Sequence, residues 1–110
     1  MERVYNKLVI DNIPKIIEQD QKICFIRELD DEDYRTELYK KLEEECQEVI
    51  DSKNPEEILE ELADVFEVIK TIAESENKKI DDIIEIANQK RMKCGGFDKR
   101  IFLEKTITKE

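Results

Sequence analysis

Apolar residues recur every three or four positions through the middle of the chain, the spacing of one face of an α-helix. The first run predicts a long helix from about residue 31 to 51, and the acidic stretch 30–33 suits its N-terminus. The apolar stripe of this helix consists of Leu38, Leu42, Cys46 and Val49. We expect Cys46 to be a small core residue.

A second run predicts a helix from about residue 56 to 75, because Asn54-Pro55 supplies a capping residue followed by a proline at the first helical position. Its apolar face is formed by Ile58, Leu62, Val65, Phe66, Ile69, Ile72 and Ala73. The break at residues 52–55 is short. We therefore expect the two long helices to fold back and pack antiparallel.

The flanks predict shorter elements. A short helix capped by Asn12 should run to about residue 20, and a last helix from about 79 to 93 should end at Gly95-Gly96. In the last helix Ile80, Ile83, Ile84 and Ala87 should face inward. Residues 1–11 should be extended, residues 23–29 either extended or one hairpin-like edge, and the tail from Phe97 irregular.

These elements predict an all-α fold. We expect one domain over residues 1–110, an antiparallel helical bundle of about four helices. Only two glycines and two prolines occur among 110 residues, which favours long helices over a turn-rich β fold. A chain of this size has difficulty covering its own apolar stripes. We therefore expect a homo-oligomer, a dimer or a tetramer, to complete the bundle.

Composition excludes several function classes. The chain has no histidine, which removes Ser-His and Cys-His catalysis and His-ligated zinc. Its three cysteines lie far apart, so disulfide frameworks and zinc sites are not expected. A net charge of −10 argues against binding to nucleic acid or to an anionic membrane. No signal peptide or membrane span is evident, and we expect a cytoplasmic protein.

Two pairs of carboxylates are the candidate chemistry. Glu45 and Glu48 lie three residues apart on the first long helix, and Glu61 and Asp64 repeat that spacing on the second. If the helices pack antiparallel, four hard oxygen donors meet, a set that suits Mg²⁺. The alternative is two solvated helix faces, since acidic pairs are common among 29 acids in 110 residues. Against that alternative, Glu45 falls inside the apolar stripe, where an uncompensated carboxylate is costly.

Three blocks of the sequence resemble a known family. The segment 41–48 followed by Glu61-Leu62-Ala63-Asp64-Val65 resembles the Glu-Glu-x-x-Glu, spacer, Glu-x-x-Asp pattern of MazG-like, all-α nucleotide pyrophosphohydrolases. The opening, residues 5–14, and the end, residues 90–103, are similar to the phosphoribosyl-ATP pyrophosphohydrolase-like branch of that superfamily. The resemblance covers nearly the whole chain.

The resemblance implies a function and a site. Glu45, Glu48, Glu61 and Asp64 would ligate Mg²⁺, with Mn²⁺ as a substitute. Glu44 would be the catalytic residue, which either supports the metal ligands without touching the metal or helps to orient the attacking water. Lys7 and Lys90 would lie near substrate phosphate, and the alternative is that they are ordinary surface lysines. The reaction would be hydrolysis of a nucleotide between its α- and β-phosphates, giving a nucleoside monophosphate and pyrophosphate.

The chain also departs from the family pattern. The opening block has Ile10-Asp11-Asn12 where the family usually has Arg-Asp-Lys, and Cys94 stands where an arginine usually precedes Gly-Gly-Phe. Three basic positions are therefore lost. The alternative function is a non-catalytic helical binding module of the same fold that has lost its substrate contacts.

Overall fold

The computed structural model describes all 110 residues and is all-helical, with four helices and no strand. The helices are α1 (Ile13–Glu18), α2 (Asp31–Ile50), α3 (Pro55–Ser75) and α4 (Ile80–Cys94). The fold-class prediction of four helices is confirmed. Residues 23–29 form neither strand nor helix, so the hairpin-like edge, one of the two alternatives predicted there, is absent.

Side-chain caps fix where the two long helices begin. The Asp30 carboxylate accepts a hydrogen bond from the Asp33 backbone N–H at 2.8 Å, and the Asn54 side chain accepts one from the Glu57 N–H at 2.9 Å. Each satisfies a donor that has no partner within the helix. Asn12 occupies the capping position of α1 but makes no side-chain cap bond, because its backbone is already helical with φ −91° and ψ 0°.

The α2–α3 pair is an antiparallel hairpin joined by residues 51–54. Arg35, near the start of α2, pairs with Glu76, just beyond the end of α3, at 3.4 Å. Near the connection, the carboxylates of Glu48 and Glu61 face each other across the two helices. Contacts at both ends of the hairpin establish the predicted antiparallel packing.

The other helices are attached more loosely than predicted. α4 contacts α3 only sparsely, and α1 contacts no other helix. Ile83 and Ile84, expected to face inward, are 37% and 46% exposed. Cys46 is exposed as well, so the prediction that it belongs to the core is wrong for the single chain. α4 ends at Cys94 because Gly95 takes a positive φ of 86°, as the Gly-Gly pair predicts.

The chain is open rather than closed around a core. Its radius of gyration is 19.2 Å, whereas a compact domain of this length has about 13 Å. Only four residues are buried: Leu38, Val68, Ala73 and, alone among polar residues, Glu45. No helix has the length and apolarity needed to span a bilayer. The hairpin is therefore the one well-packed unit, and it carries the candidate site.

Candidate metal centre

Four carboxylates converge on one side of the hairpin, close to its connection. Glu45 and Glu48 come from α2, and Glu61 and Asp64 come from α3. Each residue contributes one carboxylate oxygen to a group of four atoms that all lie within 4.8 Å of one another. The three-residue spacing places each pair on one helix face, and the antiparallel hairpin brings the faces together. The structure thus assembles all four residues that the sequence predicted as a metal-binding set.

Burial distinguishes this cluster from a solvated acidic surface. Glu45 is 8% exposed and Glu61 is half-buried, while Glu48 and Asp64 are exposed. Oε2 of Glu45 and Oε2 of Glu61 are buried and have no hydrogen-bond partner. Buried polar atoms in proteins nearly always have a partner, because an unsatisfied one costs free energy. These two oxygens therefore require a compensating group.

Burial and the neighbouring carboxylates raise the pKa values of two members of the cluster, Glu45 and Glu48. Burial, followed by the charge of Glu48, raises the pKa of Glu45 above its usual range. A hydrogen-bond interaction with Glu61, together with burial, raises the pKa of Glu48. Both shifts have the same meaning: without a cation, the folded chain resists full ionisation of this cluster.

The catalytic candidate Glu44 has the opposite environment. Its Oε1 lies 3.2 Å from Nζ of Lys7 and its Oε2 lies 3.2 Å from Nζ of Lys41. Burial opposes ionisation of Glu44, but the hydrogen bonds from Lys7 and Lys41 outweigh it and lower its pKa. Glu44 is therefore a stable anion beside the cluster, with one lysine on each oxygen.

The two candidate substrate lysines have different surroundings. Lys7 reaches the site region, since it is paired with Glu44. Lys90 is exposed on α4 and forms no ion pair. The structure thus brings Lys7 to the candidate site and does not bring Lys90 into contact with any of its carboxylates.

Lys41 is a site residue that the sequence prediction did not include. Its Nζ also lies 3.4 Å from Oε1 of Glu45, and its side chain is only 16% exposed. The signal was present in the sequence, because Lys41 precedes Glu44 by three residues and Glu45 by four. Both spacings allow side-chain contact on a helix.

The donor set fits a hard divalent cation. Carboxylate oxygens without sulfur or imidazole are the ligands of Mg²⁺, Mn²⁺ or Ca²⁺ rather than of zinc or copper. Two buried oxygens lack partners, and a cation of charge +2 would satisfy them. Glu45, Glu48, Glu61 and Asp64 are the residues that would hold it.

Comparisons with protein-family models, with curated proteins and with solved structures find no match to this chain. The four carboxylates, the lysines beside them and the motif resemblance in the sequence are therefore the features from which a function can be inferred.

Proposed function

We propose that this protein is an Mg²⁺-dependent nucleotide pyrophosphohydrolase, with Mn²⁺ as a substitute metal. The observation that carries the proposal is the four-carboxylate cluster in which Glu45 and Glu61 each keep a buried oxygen without a partner. Packing alone gives no reason to gather four like charges there, since burial and neighbouring carboxylates raise the pKa values of Glu45 and Glu48 and so oppose folding with these groups ionised. Recruitment of a cation, and through it of a phosphate ester, supplies that reason.

The reaction that fits this site is hydrolysis of the phosphoanhydride between the α- and β-phosphates. The oxygen of water forms a bond to one of these two phosphorus atoms, and the bond from that phosphorus to the bridging oxygen breaks. The bridging oxygen leaves with the other phosphorus, the proton lost by water passes to solvent, and the products are a nucleoside monophosphate and pyrophosphate. Bound Mg²⁺ supplies a lower pKa for its water and neutralises charge on phosphoryl oxygens. The chain itself holds Glu44 ionised beside the cluster, where it orients the attacking water. No imidazole is required, consistent with the absence of histidine.

We assign the phosphate contacts to Lys7 and Lys90. Lys7 pairs with Glu44, the residue before Glu45 in the chain, and its side chain is 43% exposed, so its ammonium group is accessible from solvent. Lys90 is exposed and unpaired, and phosphate binding by it requires approach of α4 or of a second copy to the site.

The same proposal includes assembly into a homo-oligomer, a dimer or a tetramer. The chain exposes 10885 Å², whereas a compact monomer of its mass exposes about 6,400 Å². Obligate interfaces bury about 2,000–5,000 Å² in total, or about 1,000–2,500 Å² per partner. The excess of about 4,500 Å² per chain is therefore more than enough surface for one such interface. Much of it is apolar: Leu59 and Phe66 on α3, Ile86 on α4 and Phe102 in the tail are 49% to 87% exposed. A second copy would cover these faces.

The second candidate is a non-catalytic helical binding module. One observation favours it: both oxygens of Glu44 are already engaged by lysines, and one of these is the proposed phosphate ligand Lys7. The missing basic residues at Ile10, Asn12 and Cys94 point the same way. Such a module would retain the metal cluster and bind a nucleotide without cleaving it.

A substrate screen distinguishes the two. The chain would be incubated with each common ribo- and deoxyribonucleoside triphosphate and with Mg²⁺, and both pyrophosphate and monophosphate would be quantified. Equal amounts of the two products, lost on addition of EDTA, would support the enzyme. Release of inorganic phosphate instead would show cleavage at the γ-phosphate and contradict the proposed bond. Metal-dependent nucleotide binding without products would favour the module.

A further inference from the structure

Lys41 is the only cation in contact with a member of the carboxylate cluster. It lies one helical turn before Glu45 on α2, and its ammonium group contacts Oε1 of Glu45 at 3.4 Å and Oε2 of Glu44 at 3.2 Å. The side chains of Lys41 and Glu45 are 16% and 10% exposed. These contacts are therefore partly shielded from water, unlike an ordinary surface ion pair.

The contact treats the two oxygens of Glu45 differently. Oε1 is engaged by Lys41, whereas Oε2 is buried and has no partner. The ion pair to Oε1 restricts rotation of the carboxylate, while Oε2 has no hydrogen-bond partner. Side chains that orient a metal ligand without binding the metal themselves strongly affect metal affinity in proteins.

A chain of contacts keeps Lys41 itself in place. Nζ of Lys7 lies 3.2 Å from Oε1 of Glu44, whose other oxygen contacts Lys41. The order is Lys7, Glu44, Lys41, Glu45. The lysine beside the cluster is thus fixed on two sides rather than free to swing into solvent.

We propose that Lys41 is a positioning residue of the metal centre, which holds Oε1 of Glu45 so that Oε2 is presented to the cation as a preset ligand. The inference depends on the proposed function, because it assumes that the cluster binds a divalent metal. The new element is that the positively charged Lys41 side chain would favour, rather than oppose, the binding of a divalent metal ion.

Charge alone predicts the reverse. An ammonium group a few ångströms from the site repels a divalent ion, so that removing it should tighten metal binding. Positioning predicts weaker binding, because Glu45 then loses its fixed orientation. The sign of the change in metal affinity therefore decides between the two roles.

The experiment is a Mn²⁺ titration without nucleotide, in which free Mn²⁺ is measured by electron paramagnetic resonance. The variants are Lys41→Met, Lys41→Gln and Lys41→Arg. The matched control is Lys40→Met, since Lys40 is the next residue on the same helix but pairs with Glu37 at 3.0 Å and is 68% exposed. Helix content by circular dichroism verifies that each variant folds, and the milder Lys41→Gln serves if Lys41→Met does not.

Lys41→Met should raise the Kd for Mn²⁺ by about tenfold or more, within the range usual for groups that orient metal ligands. Lys41→Arg, which keeps charge and donors, should recover most of the affinity, and Lys40→Met should change it little. Affinity in Lys41→Met or Lys41→Gln equal to or tighter than that of the natural protein would overturn the role of Lys41. A natural protein that binds no Mn²⁺ would instead overturn the metal centre on which the inference depends.

Discussion

Lys7 and Glu44 are 37 residues apart in the chain, yet Nζ of Lys7 lies 3.2 Å from Oε1 of Glu44. This ion pair ties the N-terminal segment to the middle of α2, beside the carboxylate cluster. Both side chains are about one-third or more exposed, and pairs of that kind contribute roughly 0–1 kcal/mol to stability. Stability is therefore a weak reason for the contact, and the proposed role of Lys7 in phosphate binding gives a separate one that can be tested.

Replacement of Lys7 separates these roles. Lys7→Ala should change the melting temperature little, because the lost ion pair is exposed. If Lys7 binds phosphate, the KM for the nucleotide should rise several-fold, and more than in the control Lys15→Ala, which removes an exposed lysine of α1 that forms no ion pair. Steady-state kinetics and thermal melting measure both. An unchanged KM would remove Lys7 from the substrate site.

Neutralising one proposed metal ligand should reduce the effect of Mg²⁺ on the melting temperature. Four gathered carboxylates repel, so Mg²⁺ should raise the melting temperature of the natural protein by binding only its folded form. Glu61→Gln should gain less from Mg²⁺, should lose turnover, and in EDTA should be at least as stable as the natural protein. Melting curves in EDTA and in millimolar Mg²⁺ measure the stability of both proteins with and without metal. Turnover is measured separately, by pyrophosphate release.

The control is Glu60→Gln, which removes an exposed carboxylate one residue earlier on α3, outside the cluster. It should respond to Mg²⁺ like the natural protein. Equal metal shifts in all three proteins, or no shift in any, would identify the carboxylates as a solvated surface and remove the enzymatic proposal with them.

The raised pKa of Glu45 predicts how stability varies with pH in the absence of metal. Above the ordinary value of 4.5, the folded chain still binds a proton on Glu45 that the unfolded chain has released. The free energy of unfolding therefore falls as pH rises from 4.5 through the raised pKa, and stays lowered above it. Glu45→Gln lacks this loss, so its stability relative to the natural protein should increase between pH 4.5 and neutral pH.

Urea unfolding of both proteins in EDTA at several pH values measures that difference. Glu44, whose pKa is lowered, gives a slope of opposite sign because its stabilising charge is lost as pH falls. It is present in both proteins, and to first order its contribution cancels. Because the pKa values of Glu45 and Glu48 are both raised and depend on each other, the difference reports on this pair. A difference between the two proteins that is constant with pH would contradict the assignment of the titration to the pair.

The exposed apolar surface predicts self-association. Static light scattering at micromolar concentration should give a mass at least twice the 13.1 kDa of the chain. Phe66→Asp, which places a charge on the half-exposed apolar face of α3, should shift the population toward monomer, whereas Glu67→Gln on the neighbouring exposed position should not. A natural protein that remains monomeric under these conditions would contradict the proposed assembly.

Much of the hairpin could be predicted because its signals are local. The Asn54-Pro55 start and the acidic run before α2 specify helix ends through single hydrogen bonds and charges. The burial of Glu45 followed from its place in the apolar stripe. Convergence of the four carboxylates then needed only the antiparallel packing of two adjacent helices.

The features that the sequence did not predict correctly depend mostly on contacts between residues that are distant in sequence. The exposure of Cys46 and of Ile83 is set by whether another helix covers them, and helical spacing gives no such information. The contact between Lys7 and Glu44 joins an extended segment to a helix, and no periodicity encodes it. Lys41 was missed for another reason: its contacts were local, but only the structure shows that it is one of the few shielded charges.

The connection between α2 and α3 has a consequence for how the chain acquires its site. All four carboxylates lie between residues 45 and 64, so gathering them requires closure of one short loop, and the entropy lost in closing a loop grows with its length. Contacts this close in sequence form early in folding. A nascent chain can therefore assemble the carboxylate cluster as soon as this hairpin pairs, without the contact between Lys7 and Glu44.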